Sequence, residues 1–381
     1  MGRAGYARPI PASKIRRTGK GEEAQMGTLY LGVDLHVRTQ MVCWMNTADG
    51  EEHQRELDHQ RDDVRGFYAQ LPQPAIVGVE SCGYAVWFHR LVEETGHQLR
   101  VGDAQQIRQF AKRRQKNDRR DAALLLELLR TGDFPSVHRP SGASREVLLL
   151  LRGRQRLVRM RTALKNGLQA VALSHQLRLG FRLWTQKGQK QFAGLHLPGA
   201  DGLQRTQMQA VRGVVEEQIA ATEEELQRRA AGDARVARLR THPGVGLLTA
   251  LAVVHTLEPV GRFSRAREVA AYCGLDPMEH SSGDSVRYGH ISKQGNRLLR
   301  HTLVEAAMSA ARCEEELGRF YRRLRGRRKA HGVAIVAVAR KLVLRLYRML
   351  REQKDYQEFR CQGRDADVPG LPGVRQEEPP H

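Results

Sequence analysis

The sequence has no apolar run long enough to cross a membrane, and aromatic side chains make up only 6 % of it. A spanning helix needs roughly 18 consecutive apolar residues, and no stretch approaches that length. The residues near position 1 have no apolar centre of the kind found in secretion signals. These absences argue against a membrane-inserted or secreted protein, so a reducing, cytoplasmic compartment is the expectation.

Cysteine is also scarce, and its spacing excludes two kinds of site. No CxxC pair occurs and no histidine pair lies nearby, so neither a structural zinc site nor a disulfide framework is indicated. The five cysteines are Cys43, Cys82, Cys273, Cys313 and Cys361.

Acidic residues are the minority charge. The chain has 42 Asp and Glu against 63 Lys and Arg, which gives a net charge of +21. Such an excess favours a polyanionic partner, most often nucleic acid, through a salt-dependent electrostatic attraction. An anionic membrane surface is the competing partner. With 381 residues, of which 40 % are hydrophobic, the chain has material for two or three domains with real cores.

Hydrophobic patterning divides the chain into five parts. Residues 1–26 are polar, basic and rich in Gly and Pro, which predicts a disordered leader. Strand-like runs at 28–46 and 74–80, mixed with helical patterns at 84–95 and 105–130, predict an α/β domain over 27–143. A helical region over 144–235, a mostly helical domain over 236–356 and a disordered tail over 357–381 follow.

The helical region carries a heptad repeat. A long helix is predicted from 144 to 180, because apolar residues recur every seven positions as in a coiled-coil seam: Leu150, Leu157, Leu164 and Val171. A second amphipathic helix around 215–226 is expected to run antiparallel to it. The seam predicts dimerisation, and an intramolecular helical hairpin is the alternative. No structure is predicted for 181–210.

The stretch LRTHPGVGLLTALAVV, residues 239–254, has the pattern of a helix–hairpin–helix element. In such an element, glycines let backbone amides approach a nucleic-acid phosphate closely. Gly244 and Gly246 are therefore predicted to contact nucleic acid.

Four carboxylates stand in unexpected places. Asp34 lies in the strand LGVD, Glu80 ends the strand IVGVE, and Asp118 and Asp121 share a helix face in the basic run KNDRRDA. Two strands and one helix can bring such residues to one end of a sheet, forming an oxygen-rich site suited to Mg²⁺ or Mn²⁺. Two ions about 3.5–4 Å apart would stabilise a phosphoryl displacement. Taken singly, each carboxylate is equally explained as a cap, a loop residue or the partner of a nearby arginine.

The order GVD, GVE, KNDRRDA resembles the DEDD catalytic domain of the IS110-type (IS110/IS1111 family) transposases. PGVGLLTA, AAYCGLDP, SSGDSVRYGHISKQGNRLLR and AVARKLVLRLYRML resemble that family's C-terminal domain, so the resemblance runs from about 28 to 356. It implies a RuvC/RNase H-like fold for the first domain and a transposase that cleaves and exchanges DNA strands. It also implies that the four carboxylates are catalytic and hold Mg²⁺ or Mn²⁺.

The resemblance further implies a nucleophilic serine in the C-terminal domain that forms a transient bond to DNA. Ser282 fits the motif best, Ser281 is the nearest alternative and Ser292 a weaker one; without the resemblance, SSG is simply a turn. Basic residues around the motif are predicted to contact phosphates, a generally basic surface being the alternative: Arg287, Lys293, Arg297 and Arg300.

The implied partners are donor and target DNA, a structured guide RNA encoded by the element, and further copies of the chain, from dimer to tetramer. In that assembly the carboxylate domain of one subunit faces the serine domain of another. Two other functions remain open at this point. One is a RuvC-like junction endonuclease that uses water as nucleophile, and the other is a non-catalytic nucleic-acid-binding derivative.

Overall fold

The computed structural model describes residues 27–72, 74–110, 118–176, 183–279 and 288–361. Contacts divide the chain into two compact units, with the boundary between Arg139 and Pro140. The predicted leader lies outside the described residues, and so does the tail from 362 onward. No helix within the described ranges is both long and apolar enough to cross a membrane.

The first unit is built on a five-stranded sheet, which confirms the predicted α/β organisation. Its strands stand in the order β3-β2-β1-β4-β5. β1, β2 and β3 pair antiparallel, whereas β4 and β5 extend the sheet in parallel to β1. The strands are β1 (Leu29–Leu35), β2 (Thr39–Asn46), β3 (Glu52–Asp58), β4 (Ile76–Glu80) and β5 (Gln98–Gly102).

Helices cover both faces of this sheet. One face packs on α1 and α2 through a core that includes Tyr68 and Phe88. The other face packs on α3 and α4, where Ile107 and Leu125 join the same cluster. The helices are α1 (Val64–Ala69), α2 (Val86–Glu94), α3 (Ala104–Phe110) and α4 (Asp118–Thr131).

A pair of glycines lets α4 lie directly on the sheet. Gly32 of β1 is in register with Gly78 of β4, and both face α4 because their neighbours on either side belong to the opposite core. A Cβ added at Gly32 would come within 2.2 Å of the Ala122 carbonyl oxygen. One added at Gly78 would meet the Leu129 side chain at 2.7 Å. The glycine of each GVD and GVE motif therefore makes room for the helix.

Gly32→Ala is expected to lower the free energy of unfolding by about 2–3 kcal/mol, because the new methyl group meets helix backbone and α4 must shift. Urea unfolding followed by circular dichroism measures this change. Gly83→Ala is the matched control, since nothing lies within 4 Å of a Cβ at that position, and it should change stability by less than about 0.5 kcal/mol. Equal effects of the two substitutions would contradict this account of Gly32.

In the second unit, two long helices pack side by side, α5 (Gly142–Ser174) and α7 (Gly199–Ala230). Arg154 pairs with Glu223, and further along α5 His175 pairs with Asp201. The later residue of α5 pairs with the earlier residue of α7, so the two helices run antiparallel, as predicted. The two helices thus form an intramolecular hairpin, and of the heptad residues Val171 is buried whereas Leu150, Leu157 and Leu164 are half-buried. The segment 181–210, for which no structure was predicted, holds α6 (Gln186–Ala193) and the first turns of α7.

The remaining helices form one large core around α13. Its apolar side packs against α9, α10, α11 and α12. α14 extends into the segment expected to be tail, because Tyr356 and Phe359 are buried. These elements are α8 (Ala234–Arg240), α9 (Leu247–Leu257), α10 (Ala266–Tyr272), β6 (Pro277–Glu279), β7 (Tyr288–Ile291), α11 (Arg297–Cys313), α12 (Glu315–Gly326), α13 (His331–Arg351) and α14 (Tyr356–Cys361).

A buried histidine makes this core sensitive to acid. His242 is 1 % exposed, and its ring lies 4.5 Å from that of Tyr356, measured between centroids. Burial lowers the pKa of His242 from 6.5 to about 4. Between these values the unfolded chain binds more protons than the folded one, so stability falls as the pH is lowered.

The His242 contribution to the free energy of unfolding is expected to drop by about 2 kcal/mol between pH 7 and pH 5. Urea unfolding of the wild type and of His242→Gln at the two pH values measures it. The variant should be less stable at pH 7 but lose less stability on acidification. If both proteins lost the same amount, protonation of another group would be responsible.

Candidate active site

β1 and β4 bring two acidic side chains to the same edge of the sheet. These strands are parallel, with Val33 paired to Val79. Asp34 is the residue after Val33, and Glu80 is the residue after Val79. The two acidic residues therefore occupy equivalent positions at the carboxyl ends of neighbouring strands. Each lies two residues beyond a glycine that faces α4. Because side chains alternate along a strand, both carboxylates emerge on the α4 face.

The other two acidic residues of the predicted set lie in the first turn of α4. Asp118 begins the helix, and Asp121 follows three residues later on the same face. Carboxylates at a helix N-terminus are stabilised by the helix dipole. Both negative charges act on Asp34. Asp34, Glu80, Asp118 and Asp121 are called the carboxylate site below.

A histidine that the sequence analysis missed lies between two of these carboxylates. His36 Nε2 is 3.1 Å from Asp34 Oδ2 and 3.5 Å from Asp118 Oδ2. The side chain of Asp34 is 16 % exposed, whereas that of Asp118 is 58 % exposed. The only signal in the sequence was the spacing DLH, which places the histidine two residues after Asp34 at the end of the strand.

The surroundings of Asp34 disfavour its negative charge and raise its pKa. Burial raises the pKa of Asp34 above its ordinary value, and the charges of Asp121 and Asp118 raise it further. His36 acts in the opposite direction through its charge and its hydrogen bond. A half-buried carboxylate beside two others is stabilised by a cation.

The loop after β4 also belongs to this site. The Tyr84 hydroxyl donates a hydrogen bond to the Leu35 carbonyl oxygen, 2.8 Å away, and so ties the loop to the end of β1. Burial raises the pKa of the Tyr84 phenol and of the Cys82 thiol, and the Glu80 charge adds to both effects. Cys82 is consequently a protonated thiol at neutral pH.

The donor set fits a divalent cation. Asp34, His36 and Asp118 each offer a ligand atom, and the three atoms lie within 4.8 Å of one another. Oxygen-rich sites of this kind suit Mg²⁺ and Mn²⁺. The group of three does not include Glu80 or Asp121. Glu80 is placed nearby by strand register, and Asp121 by its charge effect on Asp34.

The serine predicted as nucleophile is in the second unit. Ser281, Ser282 and Arg287 lie outside the described residues, between the end of β6 and the start of β7. Ser292, the weaker alternative, is described: its hydroxyl donates to Asp276 Oδ1 at 2.7 Å, next to a backbone bond between the same two residues. The Ser292 hydroxyl therefore helps to close the base of the β6–β7 ribbon.

The other predicted contacts to nucleic acid differ in their surroundings. Lys293 and Arg297 are exposed. Arg300 is half-buried, and its Nη1 donates to the Cys273 carbonyl oxygen at 3.0 Å, so this guanidinium supports the end of α10.

The two glycines of the PGVG turn, which joins α8 to α9, are used differently. Gly244 has φ +86°, and a Cβ there would lie 2.4 Å from the backbone nitrogen of Ala310. Helix packing thus explains this glycine without a phosphate. Gly246 is the exposed N-cap of α9, with open space around it, and it keeps the predicted freedom to approach a phosphate.

Comparison with known proteins gives matches over both units. An IS110 DEDD-type model described as "Transposase" matches residues 31–175, and a model described as "Transposase IS116/IS110/IS902 family" matches residues 236–322. A probable family 20 transposase of Pseudomonas aeruginosa is 31 % identical over 343 residues, which cover 86 % of this chain and 98 % of the relative.

Two further relatives come from named insertion sequences. The transposase for insertion sequence element IS1111A of Coxiella burnetii is 29 % identical, over 74 % of this chain and 78 % of the relative. The transposase for insertion sequence element IS1328 of Yersinia enterocolitica is 31 % identical, over 73 % of this chain and 84 % of the relative. The first model match contains all four members of the carboxylate site.

Proposed function

Because the chain belongs to the IS110-type family of transposases, we propose that its chemistry depends on divalent ions held by the carboxylate site. Membership makes the chain a DNA transposase of an insertion sequence, an enzyme that breaks and rejoins phosphodiester bonds. The proposal adds how it does so: which residues hold the ion, which atom attacks and which partners guide the reaction.

The observation that carries the proposal is the convergence of Asp34, His36 and Asp118 at one edge of the sheet. A divalent ion held by these residues would supply charge stabilisation for a phosphoryl displacement. The carboxylates would fix the position of that charge, and Glu80 and Asp121 would add further oxygen ligands at the same edge of the sheet. The role of Asp34 is to remain anionic while half-buried, which it would do most readily with a cation bound beside it.

The attacking group in this proposal is the hydroxyl of Ser282. Its oxygen forms a bond to phosphorus, one P–O bond of the DNA strand breaks, and the DNA hydroxyl leaves. The serine gives up one proton on forming the phosphoserine link. It regains a proton when a second DNA hydroxyl attacks the phosphorus and displaces it. The energy of the phosphodiester bond is kept throughout, so strand exchange needs no ATP.

Basic residues next to the serine motif would hold the DNA strands. Lys293 and Arg297 are exposed and available for phosphate contacts, with Arg287 as a further candidate. Arg binds phosphate through paired N–H groups, whereas Lys acts as a point charge.

We also propose a structured RNA partner and assembly into a dimer or tetramer. The net charge of +21 suits a large phosphate surface, and α12 with the residues after it exposes a dense basic cluster. If RNA pairing selects the DNA sequence, the protein needs to recognise mainly backbone and shape. In the assembly, the carboxylate site of one subunit would act with the serine of another. The cluster comprises Arg319, Arg322, Arg323, Arg325, Arg327, Arg328 and Lys329.

A covalent-trapping assay tests the proposal. The full-length protein is mixed with Mg²⁺, labelled DNA containing the joined ends of its element and RNA transcribed from those ends, and is then separated on a denaturing gel. A protein–DNA band is expected from the wild type, and it should be absent in Ser282→Ala and in Asp118→Ala. Ser281→Ala and Ser292→Ala are the matched serine controls and should keep the band.

Two other outcomes would identify a different reaction. A band lost in Ser281→Ala but kept in Ser282→Ala would move the nucleophile by one residue. DNA cleavage without a covalent band, unchanged in Ser282→Ala, would mean that water is the nucleophile. The chain would then act as a RuvC-like endonuclease, and the serine step would be wrong.

A further inference from the structure

Three side-chain atoms of the first unit have the spacing of neighbouring ligands on a single ion. His36 Nε2 is 3.1 Å from Asp34 Oδ2 and 3.5 Å from Asp118 Oδ2, and all three atoms lie within 4.8 Å of one another. Adjacent ligands of an octahedral ion with bonds of about 2.1 Å lie about 3 Å apart, and opposite ligands about 4.2 Å apart. The two distances from His36 Nε2 to the carboxylate oxygens fall in this range, and the set includes a nitrogen.

We propose that His36 is a direct nitrogen ligand of the ion held by Asp34 and Asp118, and that it shifts the preference of the site from Mg²⁺ toward Mn²⁺. The inference rests on the proposed function, in which the carboxylate site binds a divalent ion. It adds a ligand outside the four carboxylates and a consequence for which metal is bound.

The preference follows from the chemistry of the donor atoms. Mg²⁺ is a hard ion that takes oxygen ligands almost exclusively and keeps several waters. Imidazole nitrogen suits transition-metal ions better, and Mn²⁺ accepts nitrogen and oxygen in the same octahedral sphere. Replacing one oxygen by an imidazole therefore weakens Mg²⁺ binding relative to Mn²⁺.

The backbone holds His36 in place before any ion arrives. The His36 amide donates to the Thr39 carbonyl oxygen at 2.9 Å and closes the turn between β1 and β2. One residue earlier, the Leu35 carbonyl oxygen is held by the Tyr84 hydroxyl. Both hydrogen-bonding groups of the Leu35–His36 peptide are thus anchored, which fixes the backbone from which the imidazole reaches Asp34.

A second role for His36 makes a different prediction. In this second role, Nε2 would carry a hydrogen and only orient the Asp34 carboxylate. A nitrogen that carries a hydrogen has no free lone pair in the ring plane, so Nε2 would form no bond to the metal. Electron paramagnetic resonance of bound Mn²⁺ separates the two roles, because a coordinated imidazole nitrogen modulates the electron spin echo. This readout does not depend on transposase activity.

The experiment uses full-length protein loaded with Mn²⁺, without DNA. We expect ¹⁴N modulation in the wild type that is replaced by a ¹⁵N signal when histidine is isotope-labelled. The modulation should be lost in His36→Gln, which offers an amide oxygen, and kept in the control His301→Gln, which changes an exposed histidine of α11. Competition with Mg²⁺ should show the Mn²⁺ preference of His36→Gln reduced by at least about tenfold.

The possible failures are distinguishable. Mn²⁺ bound without ¹⁴N modulation in the wild type would overturn the His36 ligand, while the carboxylate site would stand. Mn²⁺ affinity unchanged in Asp34→Asn, or no Mn²⁺ binding by the wild type, would overturn the metal site of the proposed function itself.

Discussion

Replacing Asp34 with asparagine is expected to slow DNA strand transfer by at least about 10³-fold, a loss of about 4 kcal/mol of transition-state stabilisation. Asparagine has nearly the same shape as aspartate but lacks the charge that, in the proposed function, holds the cation. Asp34 is the most central member of the carboxylate site, since His36, Asp118 and Asp121 all act on it. Loss of its charge therefore affects the whole arrangement.

The fold should survive this substitution, and the metal-free protein should gain a little stability. Asp34 is half-buried beside like charges, so removing its charge relieves a repulsion that costs the metal-free protein stability. We expect the melting temperature of metal-free Asp34→Asn to equal that of the wild type or to exceed it by about 2 °C.

Strand transfer is measured with the element's joined ends as substrate, and melting is followed by circular dichroism. Asp133→Asn is the matched control, an exposed aspartate of the same unit just beyond α4, and it should keep full activity. Activity of Asp34→Asn within tenfold of the wild type would contradict a catalytic role for this carboxylate. A lowered melting temperature would mean that Asp34 stabilises the fold instead.

The second large effect is on stability. Glu314→Ala is expected to lower the free energy of unfolding by about 3–5 kcal/mol, because it leaves the buried Arg345 without one of its anionic partners. The side chains of Glu314 and Arg345 are 3 % and 5 % exposed, and Glu314 Oε2 lies 3.1 Å from Arg345 Nη1. Glu314 also accepts from the Tyr356 hydroxyl at 2.8 Å and from the Leu317 amide at 2.6 Å.

These contacts connect three helices through one carboxylate. Glu314 caps α12, Arg345 belongs to α13 and Tyr356 begins α14. The backbone bond to Leu317, together with the pairing to Arg345, lowers the pKa of Glu314 against the effect of burial. The carboxylate is therefore ionised at neutral pH and its loss breaks the cap and the pair together.

Urea unfolding at pH 7 measures the Glu314 effect. Glu315→Ala is the adjacent control, a 72 % exposed side chain, and it should cost less than about 0.5 kcal/mol. The double variant Glu314→Leu with Arg345→Met should be more stable than Glu314→Leu alone, since it also removes the buried guanidinium that has lost a partner. A small effect of Glu314→Ala would show that Glu316, 2.6 Å from Arg345 Nη2, is a sufficient partner.

The main parts of the carboxylate site were predictable from the sequence because they depend on local periodicity. Asp34 and Glu80 each follow a glycine by two positions in an apolar strand, and strand alternation places each carboxylate on the same face as its glycine. That the two faces coincide depends on the parallel pairing of β1 with β4. Asp118 and Asp121 are three residues apart on a helix, which defines a common side without any tertiary information. The sequence analysis expected acidic residues to meet at one edge of an α/β sheet, and this expectation is consistent with these rules.

Other features depended on contacts between elements, which local patterns do not encode. His36 was missed because its place beside Asp118 depends on where α4 begins over the sheet. Heptad spacing on α5 is the same whether its partner is α7 of the same chain or another subunit. Gly244 and Arg300 were predicted to contact phosphates because of their residue types. In the structure, Gly244 packs against the backbone of Ala310, and Arg300 donates a hydrogen bond to the Cys273 carbonyl oxygen.

The most direct test of the account is a sulphur substitution at the scissile phosphate of the donor DNA. If an ion held by the carboxylate site contacts this phosphate, replacing a non-bridging oxygen by sulphur should slow strand transfer in Mg²⁺ by at least about tenfold, because sulphur binds Mg²⁺ poorly. Mn²⁺, the softer ion, should restore the rate for one of the two phosphorothioate isomers. An equal slowing in Mg²⁺ and Mn²⁺ for both isomers, or no slowing at all, would contradict metal-assisted chemistry at this site.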